Sequence, residues 1–294
     1  MQTKKTMGLG VLALGLLFSS LSLAKSPVYK VTKGDDHVYI GGTIHLLSES
    51  DYPLPTAFNQ AFDDSEHIYF ETDTSQGSSP EMQDKMGEMM ALPEGETLKM
   101  QLNEKTYNRL ERFLLERQLP IELFQTITPS AVSISLTVIE LQRLGLGEAK
   151  SGVDQFYSSK TKEAGKDPFY LESLEEQISF LGQFNQADPN LIINANLDDL
   201  SKLTANWKTA VKAWREGDLA TMGDSLGGSS LQTDFPAIYQ VLLTDRNNRW
   251  LEKIETMFES KQIELVLVGA LHLVNKEGLI EQLQKRGYDV EQLD

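Results

Sequence analysis

Two histidines close matching segments more than two hundred residues apart. His45 falls in "VYIGGTIHLL" (38–47) and His272 in "VLVGALHLV" (266–274), each after an apolar, β-branched stretch that leads into Gly-x-x-His. Strands that deliver imidazoles to one place suit a divalent metal, with a nearby carboxylate as third ligand and open positions for water and substrate. Glu71, which follows "HIYF" at 67–70, is that carboxylate. A metal there would acidify bound water and polarise a carbonyl; a carboxylate off the metal would serve as general base. Gly42 and Gly269 open each motif and permit close approach of backbone or ligand. A histidine among apolar residues is more often a hydrogen-bonded core residue, and it is the matched pair that turns the reading towards function. Gly34 to His37 has the same spacing but sits in a polar turn, and His37 and His67 read as surface residues at strand starts.

The elements that must position these residues follow from periodicity. "PVYKVT" and "HVYIGG" read as strands separated by Gly34-Asp35-Asp36. Residues 55–65 form a helix with Ala57, Phe58, Ala61 and Phe62 on one face, and 67–72 the next strand. From about 81 to 262 the pattern is almost wholly helical (103–118, 130–144, 153–164, 173–184, 195–216 and 235–260), interrupted by a short strand, "PFYLE", at 168–172. Strand signal returns at 263–269 and in "YDVEQL", with Asn275 expected to cap the last helix and Gly287 to end it. The predicted fold is α/β: a central mixed sheet formed by N- and C-terminal strands, with a large helical insertion. In such sheets, sites gather beyond the carboxyl ends of strands.

Composition sets the surroundings. Lys4 and Lys5 precede an apolar run from Met7 to Phe18, and Ser22-Leu23-Ala24 supplies small residues for cleavage. Residues 1–24 therefore read as a signal peptide, too short to span a bilayer, leaving one α/β domain at 25–294 in the periplasm with no stable membrane span. The absence of cysteine excludes disulfides, thiol chemistry and thiolate ligands. The net charge of −16 argues against nucleic acid as a partner and suits solubility.

The chain resembles the TraB/GumN (TraB/PrgY/GumN) family, to which the animal Tiki metalloproteases are related. "GTIH" (42–45) and "GALHL" (269–273) look like its two Gly-x-x-His motifs, and "YFE" places Glu71 where the family has an acid. "SGVDQFY" (151–157), "LESLEEQISF" (171–180), "AWREGDL" (213–219) and "DRNNRW" (245–250) are similar to further family segments. The chain departs from the pattern at Ser130, after Pro129, and at Asn275. By this resemblance His45, His272 and Glu71 are the metal-site or catalytic residues, and Arg246, Asn247 and Glu172 line the site. Without it, Arg246 reads as a helix anchor, Trp214 and Trp250 as core, and Asp218 as a helix N-cap.

The expected activity is that of an exported metal-dependent hydrolase, peptidase-like, with Zn, Mn or Co as cofactor and a peptide or small molecule as substrate. The alternative is a non-catalytic periplasmic peptide- or ligand-binding or envelope-assembly protein whose histidines hold a structural or vestigial metal, or a haem.

Overall fold

A computed structural model describes residues 25–148 and 151–294; the expected leader lies outside them. Six strands, β1 (Val28–Lys33), β2 (Asp36–Thr43), β3 (His67–Phe70), β4 (Pro168–Tyr170), β5 (Glu264–Gly269) and β6 (Asp289–Gln292), form one sheet in the order β4-β3-β5-β2-β1-β6. β5 is central and parallel to both its neighbours, pairing Thr43 with Gly269 on one side and Phe70 with Leu267 on the other. β1 runs antiparallel to β2 and to β6, so the sheet is mixed.

Patterning explains these positions. "ELVLVG" is buried at five of its six residues, as a strand covered on both faces requires. β1 is buried at Val28 and Val31 and more open elsewhere, and the turn to β2 uses Gly34 in the left-handed region at φ 63°. The strand expected in the helical middle is β4, which joins the edge beside β3, so the sheet draws one strand from outside the two ends. Pro168, unable to donate to a ladder, stands at that edge strand's first residue.

Helices cover the sheet. Ala57, Phe58, Ala61 and Phe62 bury the inner face of the helix Thr56–Asp64, and Phe58 packs on Tyr157 and Trp214 with ring centroids 5.9 and 5.8 Å apart. Trp214 and Trp250 are fully buried, and the Trp214 indole donates to the Gly42 carbonyl at 2.7 Å. A second cluster, including Leu110, Leu114, Val132, Leu136, Ile193 and Leu197, gives the helices of the middle section a core of their own. No described helix is long and apolar enough to cross a membrane.

Three expectations are corrected. The helix predicted at 195–216 is two, Pro189–Leu200 and Leu203–Arg215. The predicted 235–260 helix is interrupted by a π-helical stretch, Gln240–Thr244, directly before Asp245–Met257. Asn275 does not cap the last helix: it adopts φ 67°, and Gly278 is the N-cap of Leu279–Lys285. Asp218 does cap its helix, accepting from the Thr221 amide, and Gly287 follows the last helix at φ 86°.

Candidate active site

The three site strands lie side by side and point the same way, so β2, β5 and β3 deliver His45, His272 and Glu71 to one edge of the sheet. His45 sits two residues beyond β2. His272 lies on a single 3-10 turn, Ala270–Leu273, that begins where β5 ends. Glu71 directly follows β3. Both motif glycines are needed for space. A Cβ on Gly42 would come within 2.8 Å of Leu273 and 3.1 Å of Ala270, so its absence seats β2 against the His272 turn. A Cβ on Gly269 would fall 3.2 Å from Glu71 Oε1 and 3.5 Å from His45 Nε2. Residue 269 thus leaves open the space that those two polar atoms face.

Each charged group has a fixed partner. His45 Nδ1 is 2.7 Å from Asp154 Oδ2, and Thr43 donates to Asp154 Oδ1 at 2.8 Å. Asp154 belongs to the first turn of the helix Val153–Glu163, whose Gly152 packs so tightly on the His45 carbonyl that a Cβ would lie 2.2 Å from it. Protein atoms crowd one side of the imidazole, yet 63 % of its side chain meets solvent. The Asp154 carboxylate, helped by Glu71, raises His45 to about 9. At neutral pH the ring is therefore mostly the imidazolium.

Arg246 is the hub of the buried half. Its guanidinium donates to Glu71 Oε2 at 2.6 Å, to Glu172 Oε1 at 2.7 Å and to His272 Nε2 at 3.0 Å. The π-helical stretch immediately precedes it, and its Nη1 also donates to the Leu242 carbonyl within that stretch; such irregular turns are common at functional sites. Burial pushes Glu71 up, but Arg246 and the Gly269 N–H, which donates to Oε1 at 2.6 Å, outweigh it and hold the carboxyl at about 2. Glu172 shifts the other way, raised by burial against the pull of the same guanidinium. Of two acids sharing one cation, Glu172 is the one biased to take a proton. Glu172 and Gln177 flank a capping box, in which Ser173 and Glu176 start the helix Leu174–Gly182, and Gln177 donates to Glu71 at 3.2 Å.

The tautomer of His272 follows from its neighbours. Asn247 Nδ2 donates to the carbonyls of His272 and Glu277, so its Oδ1, 2.7 Å from His272 Nδ1, is an acceptor. Nδ1 therefore carries the proton, and Nε2 accepts from Arg246. Burial, reinforced by Arg246 and His45, lowers His272 to about 3. The Trp250 indole covers the ring at a centroid distance of 4.4 Å.

This donor chemistry bears on the expected metal. His45 fits a ligand role, with Nδ1 fixed by a carboxylate and Nε2 unengaged. Glu71 Oε1 retains a lone pair beside its bond from Gly269. His272 does not fit, because its Nε2 lone pair accepts from a guanidinium and stands 3.9 Å from Glu71 Oε1. Among the described residues no group of three His, Asp or Glu side chains is arranged to hold one ion. The proposed ligands converge, but not as a three-donor set.

The sequence-predicted residues His45, His272, Glu71, Glu172, Arg246 and Asn247 all meet here. His37 and His67 lie elsewhere, packed on Tyr39 and Phe169 respectively. Asp154 and Gln177 were not among the predicted site residues, although both lie in segments that carried the family resemblance. The site opens on a cavity of about 340 Å³, whose wall includes His45, Glu71, Asp154 and Gln177.

Comparison with known proteins places the chain in a family. The sequence profile of the TraB/PrgY/gumN family matches residues 27–292. The chain is 26% identical over 258 residues, 85% of its length and 89% of the relative's, to the uncharacterized protein YbaP of Escherichia coli (strain K12). The uncharacterized protein YbaP of Shigella flexneri is similar to the same extent. No solved structure matches the chain.

Proposed function

The chain belongs to the TraB/PrgY/gumN family, and within it we propose a hydrolase of acyl bonds, peptide bonds first, that uses His45 as its proton-transfer group. One observation carries this reading: His45 Nε2 and Glu71 Oε1 face the same small space, beside the Cβ that Gly269 lacks, at the mouth of an open cavity. Neutral His45 carries its proton on Nδ1, towards Asp154, and presents Nε2 as an acceptor. A water donating one O–H to Nε2 and the other to Glu71 Oε1 keeps an oxygen lone pair free to attack a carbonyl. The proton taken by His45 forms an imidazolium that Asp154 stabilises, and Nε2 then returns it to the leaving amine or alkoxide. Arg246 keeps Glu71 ionised and in place throughout. His272, held neutral, positions Arg246 through the bond at Nε2.

A metal-dependent version is the second reading, favoured by the carboxylate anchor on His45 Nδ1, which is the usual support of a metal-binding imidazole. It requires Arg246 to leave His272 Nε2. We likewise propose a periplasmic location, supported by the leader signature of residues 1–24.

The deciding experiment measures hydrolysis of peptide and ester libraries by the wild type, before and after chelation, and by His45→Gln. The expected result is activity that survives chelation and falls about 10²- to 10⁴-fold in His45→Gln. Loss on chelation with recovery in Zn, Mn or Co establishes the metal-dependent version instead. Tight ligand binding with no turnover in any library overturns the hydrolase and leaves a binding protein.

A further inference from the structure

From the reaction end at His45 and Glu71, the cavity continues along the exit of β3 to the tip of β4. Phe70, Thr72, Asp73 and Tyr170 form this second half of its wall. Among the described residues, no lysine or arginine lines the cavity. Two of its three carboxylates are matched by cations, Glu71 by Arg246 and Asp154 by His45. Asp73 differs. Its donors are the Ser75 amide and hydroxyl and the Gln76 side-chain amide, all neutral. They fix the carboxylate in place, and among the described residues only the through-space influence of Lys162 offsets its charge. Tyr170, 36% exposed, lines the same wall as Asp73.

A separate observation concerns Thr72. It is 5% exposed and lines the cavity, and its Oγ1 has no hydrogen-bond partner. A buried hydroxyl without a partner is unfavourable unless a ligand completes it. Thr72 links Glu71 to Asp73 in the chain and shares the cavity wall with both.

We propose that this half of the cavity is a subsite for a cationic peptide side chain, lysine or arginine, held by the Asp73 carboxylate and the face of Tyr170 while Thr72 Oγ1 bonds the adjacent peptide group. The assignment rests on the hydrolase reading above and names its substrate class. A partly exposed carboxylate and an aromatic face acting together favour the cation about fivefold over an uncharged isostere.

The test uses two labelled hexapeptide pools, randomised over uncharged residues and differing only in one lysine or one norleucine. Binding to the full protein is read by fluorescence anisotropy, and cleavage in the same samples by chromatography. The wild type is expected to prefer the lysine pool about fivefold at low salt and to lose most of that preference at high salt. Asp73→Asn is expected to abolish the preference, Tyr170→Leu to reduce it, and Thr72→Val to weaken both pools equally. Circular dichroism checks that each variant is folded. Lysine preference in binding without cleavage keeps the subsite and overturns the hydrolase. Cleavage with no preference between pools overturns the subsite and keeps the hydrolase. Failure to bind either pool, or a preference undiminished in folded Asp73→Asn, also overturns the subsite.

Discussion

His45 Nδ1 stands 2.7 Å from Asp154 Oδ2, a contact that ties the segment after β2 to a helix more than a hundred residues further on. The pair sets both the orientation of the imidazole and its proton affinity.

The first prediction concerns pH. With His45 raised from 6.5 to about 9, the form with a free Nε2 is a minor species at neutrality and gains as pH rises. The value of kcat/KM should therefore climb through an apparent pKa near 9. In Asp154→Asn the carboxylate's pull is removed, and the rising limb should move down towards 6.5. An NMR titration of the His45 ring in both proteins checks the assignment independently of activity. Because the folded pKa is the higher one, the pair's contribution to stability is full below 6.5 and fades as pH rises through 9.

The buried half of the site should make the protein acid-sensitive. His272, lowered to about 3, refuses a proton that the unfolded chain accepts below 6.5. Glu71, held at about 2, stays ionised where an unfolded glutamate protonates near 4.5. Both differences reduce stability as pH falls, the first from 6.5 towards 3 and the second from 4.5 towards 2. Urea unfolding across this range should show proton uptake on unfolding, and folded His272→Gln should flatten the part between 6.5 and 4.5.

Two glycine substitutions should separate fold from function. Gly269 has φ −51° and ψ 132°, which any residue adopts, so Gly269→Ala should change unfolding free energy by no more than about 1 kcal/mol. Its methyl would nevertheless enter the space beside Glu71 Oε1 and His45 Nε2, and kcat/KM should fall about 10²-fold. Gly152→Ala is the opposite case. The added Cβ would lie 2.2 Å from the His45 carbonyl oxygen, so backbone must shift, and a loss of about 3 kcal/mol is expected in denaturant unfolding.

Arg246 is 7% exposed and serves two carboxylates and an imidazole. Arg246→Met leaves Glu71 and Glu172 buried without their cation and should destabilise the protein by about 3–5 kcal/mol. Adding Glu172→Gln to that variant should recover part of the loss, since one uncompensated charge is then gone. Thermal or denaturant unfolding of the single and double variants measures this; equal stability of wild type and Arg246→Met would sink the hub assignment.

Much of this architecture was readable from periodicity. The return of strand signal at 263–269 marked β5, and the paired Gly-x-x-His segments pointed to one site. What the pattern could not state was adjacency: β2 and β3 are close in sequence, yet β5 lies between them. Asp154 escaped because an acid in a helix's first turn ordinarily serves the helix dipole, and its partner is set by the docking of Gly152 on His45. Arg246, read without the resemblance as a helix anchor, is aimed by a π-helical stretch that a helical period of 3.6 does not announce. The metal expectation treated His272 as a free imidazole, and spacing could not reveal that a guanidinium would face its Nε2. Asn275 had the composition of a cap but took a left-handed turn three residues earlier than the true one.

The insertion of β5 between β2 and β3 has a consequence for biosynthesis. While the ribosome is still translating the helical middle, β2 and β3 each lack a flanking neighbour, and neither His272 nor Gly269 yet exists. Until β5 is made, the nascent polypeptide carries unprotected strand edges that invite aggregation or chaperone capture. The candidate site can therefore close only once this strand has been made, late in synthesis and after both of its neighbours.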